Sequence, residues 1–431
     1  MSLSASIRRT FSALSVYNYR VFWLGQLISL SGTWMQTIAQ SWLVLQLTNS
    51  PSALGFVTML QFLPITVMAL FGGVLADRLP KHRVLIITQS SAAIQAGILA
   101  ILVISHHVQL WHVYVLAFCL GVINSIDNPT RQAFVVELVG PDKLANAVAL
   151  NSMLFNSARI IGPSIGGLMI GWLGTGGAFA ANALSFLAVI LGLLIMRTDE
   201  FVAVARSPRG RVLTQVAEGI KYAFSHSDIL LVLLLMACLG IFGYNFTVML
   251  PLIDKYILGA GPEVLGILTS AMGVGSVLAA LAVAYAGKAR VGVMLAGALI
   301  FSFSLLLVGV SRLYPLTLLG LFILGFASVT FSSNANTRLQ LLAPDHLRGR
   351  IMSLYFLVFA GSTPFGGVIV GSLSALIGVS LTLQLMAIIC LAGTLIAMLF
   401  VYICLQRNAE RKAESLVGIG GSSSDRRSLD A

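Results

Sequence analysis

Apolar runs of about 20 residues or more recur along the whole chain and leave it few ways to fold. They lie at approximately 21–46, 53–76, 84–105, 111–127, 147–173, 176–196, 229–252, 264–286, 291–310, 315–336, 350–376 and 381–405. As a helix, each can cross roughly 30 Å of hydrocarbon. A membrane β-barrel shows short alternating segments instead, and that pattern is absent. Only 10% of the 431 residues are charged and 58% are hydrophobic, where a soluble chain carries about a quarter charged residues. The expected class is an all-α integral membrane protein with twelve spans. The run at 111–127 is short and meets Asn128-Pro129, so a kink or an end is expected there. The first run is too long for a cleaved signal peptide and reads as an uncleaved first span.

The basic residues orient this bundle. With the N-terminus inside, Lys255 and Arg312 lie outside, Arg159 lies within a span, and the other 23 of 26 Lys and Arg face the cytoplasm. That asymmetry is the positive-inside rule; it calls for an even number of spans and both termini in the cytoplasm. It also accounts for the net charge of +11, so nucleic acid is not an expected partner. The lipid bilayer is one, in the cytoplasmic (inner) membrane.

Several other classes find no support. Cys119, Cys238, Cys390 and Cys404 all fall in apolar runs and read as small packing residues. His106, His107 and His112 cluster around one outside loop and read as interfacial polar residues, so no metal site is expected. No phosphate loop of the Gly-x-x-x-x-Gly-Lys type and no nucleophile triad is readable, so neither an enzyme nor an ATP-driven pump is expected, and no cofactor is implied. A scaffold or sensor would need a sizeable soluble domain, and the chain has none.

The chain divides near its middle. A cytoplasmic N-terminal segment (1–20) precedes a six-span half (21–196). The longest polar interruption (197–228) contains Val212–Phe224, which reads as an amphipathic helix lying on the membrane. A second six-span half (229–407) and a disordered cytoplasmic tail (408–431) follow. "GPDKLANAVALNS" (140–152) follows span 4 and "APDHLRGRIMSLY" (343–355) follows span 10. Both read Pro-Asp-x-Leu at the same place in a six-span unit, which points to a parallel duplication about an axis along the membrane normal.

Between spans 2 and 3 lies "GGVLADRLPKHR" (72–83). It resembles the signature loop of the major facilitator superfamily: Gly73, then Asp77-Arg78, then the basic pair Lys81 and Arg83, with Pro80 where that family usually has Gly. "NYRVFWLGQLISLSGTWMQTIAQSWLV" near the start and "NPTRQAFVVELV" after span 4 resemble the branch that holds the enterobactin exporter and macrolide efflux proteins. In span 5, Ala158-x-x-x-Gly162-Pro163-x-x-Gly166-Gly167 resembles the motif of that superfamily's antiporters, with Ala158 where Gly is usual. Span 11 carries a near counterpart, "GSTPFGGVIVG" (361–371). Glycines let a neighbouring backbone approach closely, so spans 5 and 11 are each expected to pack on the opposite half.

The resemblance implies a proton-driven exporter of a drug-like or siderophore-like molecule, acting as a monomer by rocking its halves. Its partners would be that small molecule and protons. A lipid or lysophospholipid flippase is the alternative within the same broad branch. The loop would be an inner latch, with Asp77 facing a helix N-terminus and Lys81 and Arg83 meeting carboxylates on adjacent helices. The resemblance also places spans 1, 4, 7 and 10 around a midplane cavity, with Gln36, Phe118, Tyr244, Asn245 and Phe331 as lining residues.

Two charges inside the spans need their own account. Arg159 lies about 18 Å into span 5. A mid-bilayer arginine costs about 2.5–3.5 kcal/mol on insertion scales, so it should face the interior, either to attract an anionic or polar substrate or to hold a carboxylate. Of the fifteen carboxylates, all but Asp127 read as belonging to turns, the central connection, the outside or the tail, with Asp254 among those outside. Asp127 is then the candidate for proton coupling. Arg131, one turn away, would hold its charge in place, so coupling requires that pair to part in one state. Otherwise Asp127 is a gate partner of Lys81.

Overall fold

The computed structural model describes residues 11–68, 79–202, 212–287, 289–344 and 347–424, and among them the chain is helical throughout. Helix α1 (Tyr17–Thr48), α2 (Pro51–Met68) and α3 (Lys81–Ile104) open the first half. The next helical stretch, Leu110–Leu194, has 85 residues and bears non-helical glycines at Gly140 and Gly174. Both have φ near +70° (67° and 70°), where a side chain would strain the backbone. They divide the stretch into α4 (110–139), α5 (141–173) and α6 (175–194).

Partners along these arms show that each crosses the bundle. On α4, Gln95 of α3 donates to the Leu116 carbonyl, and Glu137 meets Lys81 at the other end of α3. On α5, Asn151 meets Tyr19 near the start of α1, while Gly166 lies against Met35 further along. On α6, Gly176 sits against Ile104, and the Leu193 carbonyl is 2.8 Å from a ring nitrogen of His82. Pro129 does not end α4, which continues ten residues further. In a span, proline's missing hydrogen bond is covered by neighbouring helices.

The second half begins after a linker helix (Val212–Ser225), tied to it by the ion pair of Glu218 with Arg350. Helix α7 runs Ser227–Phe242, breaks, resumes at Phe246–Leu252 and ends in a π-helical turn, Ile253–Leu258. Then come α8 (Pro262–Ala286), α9 (Val291–Val310), α10 (Tyr314–Leu342), α11 (Arg348–Ile377) and α12 (Val379–Ser424). With the three arms taken separately, the described helices agree with twelve spans. Helix α12 continues past 407, where a disordered tail is expected; Ala409, Glu410, Arg411, Lys412, Ala413 and Glu414 are all good helix formers.

The duplication is visible in the glycine contacts. In the first half Gly121 of α4 abuts the Gln61 carbonyl of α2; in the second, Gly325 of α10 abuts the Met272 carbonyl of α8. Helices 2 and 4 thus repeat as 8 and 10.

Hydrogen bonds join the halves from the face opposite the termini, called the far face below, to the middle. Lys255 Nζ donates to the Leu45 carbonyl and to Asn49 Oδ1, both at 2.6 Å, and Tyr256 donates to the Asn49 carbonyl at 2.6 Å. Deeper, Ser270 pairs with Ser164 and donates to the Ile160 carbonyl, and Thr66 donates to the Ala360 carbonyl. Among the described residues, no hydrogen bond or ion pair joins 148–157 of α5 to 276–286 of α8. The molecule is closed on its far face.

Candidate functional site

A cavity of about 380 Å³ lies between the halves. Its walls are largely aromatic: Trp34, Phe62, Phe155, Tyr244, Phe246 and Phe359, with Thr37, Ser41, Thr247 and Arg159 among the polar groups. The break in α7 positions two of these rings. At Gly243 a side chain would collide with the Phe301 ring and the Leu239 carbonyl, so glycine alone lets the chain turn there. The Gly243 and Tyr244 amides both return to the Leu239 carbonyl, and the helix restarts as Val248 and Met249 donate to the Asn245 carbonyl. Irregular backbone at membrane depth is tolerated where protein or a cavity covers it. Tyr244 then stacks on Phe301 at 5.2 Å and donates to the Ser328 carbonyl at 2.7 Å, fixing its ring at the cavity wall.

Arg159 faces this cavity from α5. Its guanidinium lies 5.9 Å from the Trp34 ring centroid, within cation–π range. Among the described residues it has no carboxylate partner. Its position is set by the helix-packing motif beside it. Gly162 and Gly166 lie against Trp34 and Met35 of α1, in the same half. Gly167 lies against the backbone of Pro262 and Glu263, and the Pro163 carbonyl against Gly266, all on α8 of the other half. Helix α11 repeats this arrangement: Gly366 meets Ile241 and Asn245 of α7, while Gly367 and Gly371 meet α2 at Thr58, Gly55 and Pro51.

Of the five lining residues expected, Tyr244 alone lies on this cavity. Phe118 is 43% exposed and points outward on the same side of α4 as Trp111 and Val115. Phe331 is fully buried against Gly297 of α9. Gln36 turns into its own half, where it donates to Gln95 and accepts from Asn182. Asn245 is buried, with its amide donating to the Ile241 carbonyl. A spanning helix is apolar on every side, so residue type does not reveal which way a residue points.

A second cavity of about 260 Å³ is lined mostly by the first half, with Thr247 from the second, and shares Trp34, Thr37, Ser41, Phe62, Phe155 and Thr247 with the first. It is more polar, with Gln40, Gln61, Gln89, Asn124, Asp127 and Arg131 on its walls. Asp127 is 1% exposed; it pairs with Arg131 and accepts from Thr88 at 2.6 Å and Gln89 at 2.8 Å. Arg131 also donates to Gln26. The glutamines around this pair are absent from the expected site, and the signal for them was a run of amides in otherwise apolar spans.

Lys81 reaches Glu137, at 2.7 Å, rather than Asp127. Lys81 opens α3 and Glu137 closes α4 at the same face, whereas Asp127 lies almost three turns deeper. Arg83 is exposed, and Gly73, Asp77 and Arg78 lie outside the described residues. Lys81→Ala and Glu137→Ala should therefore be coupled by about 0.5–1 kcal/mol in a double-mutant cycle of thermal stability; additive effects would show that the pair contributes nothing.

The sequence profile of the transmembrane secretion effector family matches residues 8–416. The chain is 24% identical to the staphyloferrin A transporter of Staphylococcus aureus, covering 88% of this chain and 94% of that one. It is 27% identical to the multidrug efflux pump Tap of Mycolicibacterium fortuitum (82% and 88% covered) and 25% to the enterobactin exporter EntS of Escherichia coli (87% and 88%). Among solved structures, a bacterial homolog of the human lysosomal transporter Spinster, inward-facing and occupied, superposes with TM-score 0.72 at 12% identity (89% and 96% covered). A D-xylose–proton symporter gives 0.65 at 16% (88% and 97%). With apolar helices in two repeated halves around a central cavity, the chain belongs to the transmembrane secretion effector family of major facilitator transporters.

Proposed function

We propose that this transporter exports, in exchange for protons, an amphiphilic small molecule that joins apolar rings to an anionic group. The observation that carries this reading is Arg159: a guanidinium on an aromatic-walled cavity, with no carboxylate partner among the described residues. Such a charge attracts an anion strongly where water is scarce. Trp34, Phe155 and Phe359 offer flat apolar surface to rings. The names of the siderophore and multidrug relatives support transport of a small molecule, and a lipid flippase draws no support from them.

The basic loops favour an orientation with both termini in the cytoplasm, so the closed far face is the outside. A single chain contains both halves and the whole cavity. Substrate would enter from the cytoplasm, the halves would rock, and the glycine seams of α5 with α8 and α11 with α2 would part to release it outside.

Asp127 is the proposed coupling residue, with Arg131 leaving it in one state of the cycle so that a proton takes the cation's place. Asp127→Asn tests this in proteoliposomes. Substrate exchange down its own gradient should survive, while pH-driven accumulation falls at least about tenfold. If both decline together, Asp127 is a gate residue. Full pH-driven accumulation by Asp127→Asn would remove it from either role.

A further inference from the structure

A second carboxylate lies where hydropathy alone places an outside loop. Asp254 is fully buried, and neither of its carboxylate oxygens has a hydrogen-bond partner. It sits on the π-helical turn Ile253–Leu258, the turn that closes the far face through the next two residues. π-Helical turns concentrate at functional sites.

The charges around it offer no relief. Lys255 sends its ammonium group away, to the Leu45 carbonyl and Asn49 of α1. Tyr256 likewise gives its hydroxyl proton to Asn49. From α8, Glu263 brings a second negative charge. Residues 45–49 of α1 and 379–383 of α12 carry no charge. Arg312 lies beyond Tyr256 and Ile257, on a separate surface pocket of the far face. An ionised carboxylate without donor or counter-ion is among the most expensive groups to bury, and the neutral acid is far cheaper.

We propose that Asp254 is the proton-binding site of the far gate: the gate closes only with this carboxyl group neutral, and it takes up its proton from the far side. As the halves part, Lys255 and Tyr256 lose Asn49, water reaches the π turn, and the carboxyl releases its proton to that side. Acid on the far face therefore favours the closed gate, and alkali opens it. This device is separate from the proton exchange assigned to Asp127, because it needs no substrate and no gradient.

The test is a distance measurement on the full chain in lipid nanodiscs without substrate. Spin labels at Leu47 and Leu376, with the native cysteines replaced by Ala and Asp127 by Asn so that its titration does not contribute, report the far face. In the otherwise unmodified chain, the closed-to-open ratio should rise as pH falls, by up to about tenfold per pH unit across the transition. Asp254→Asn should stay closed at every pH, and so should Asp254→Leu, which covers a failure of the first variant to fold. Lys255→Met should lower the closed fraction and keep its pH dependence. A ratio that does not respond to pH in the parent, or one that still responds in Asp254→Asn or Asp254→Leu, overturns the proposal. Either result leaves the substrate-exchange assay of Asp127→Asn untouched, so the two readings fail separately.

Discussion

Arg159→Gln should raise the anionic-substrate concentration needed for half-maximal transport by at least about 30-fold, or about 2 kcal/mol. The side chain carries the positive charge on the wall of the central cavity and, among the described residues, has no carboxylate to hold it. Its replacement by an amide of similar reach keeps some packing on Trp34 and removes the charge. Arg159→Lys should recover part of the affinity, because the charge returns without the planar fork. Paired probes supply the control: an anionic aromatic and a neutral one of equal size, both measured as uptake into inverted vesicles. The neutral probe should be little affected by Arg159→Gln. Equal losses for both probes would make Arg159 a structural residue and end the anion reading.

This site was partly legible in the sequence, and the reason is physical. A charge or a Gly-Pro-x-x-Gly-Gly cluster stands out in an apolar run, so Arg159 and Gly162–Gly167 could be picked without a structure. The spans and their pairing into halves were legible for the same reason. Direction around the helix axis was not: Phe118 faces outward, Phe331 packs on Gly297, and Gln36 bonds within its own half. Lengthwise, hydropathy ended span 7 at 252 because Asp254-Lys255 resembles a loop, yet the helix runs to Leu258. The break at Gly243–Asn245 was signalled by Gly-Tyr-Asn, but glycine is common in membrane helices and the signal was weak.

Gly167→Leu should hold the far face open and cut turnover at least about tenfold. A Cβ at this position would lie 2.5 Å from the Pro262 carbonyl oxygen and 3.1 Å from Glu263 Cα, both backbone atoms that no rotamer change can move. Forcing two backbones apart costs about 1–3 kcal/mol, which shifts a two-state ratio by about 5- to 150-fold. Gly371→Leu should act alike, since its Cβ would lie 2.6 Å from the Pro51 carbonyl oxygen across the other seam. Gly97→Ala is the control, because nothing lies within 4 Å of a Cβ there. Labels at Leu47 and Leu376 report the distance, and substrate efflux reports turnover. A closed far face with parental turnover in Gly167→Leu would show that the α5–α8 seam does not govern the closed state.

Where backbone lies against backbone, at Gly167 on Pro262 and Gly371 on Pro51, there are no interlocked side chains to unmesh. A seam of leucines would have to withdraw each knob from its hole, and the barrier would grow with every residue in register. At these two points the surfaces can separate without a side chain being withdrawn. Speed is thereby uncoupled from grip: the contact can be intimate when formed and still open quickly. The free-energy difference between the two states then rests more on the few polar groups that gain or lose partners along the seam, such as Ser164 with Ser270 and Lys255 with Asn49, a small enough set for one bound molecule or one proton to tip.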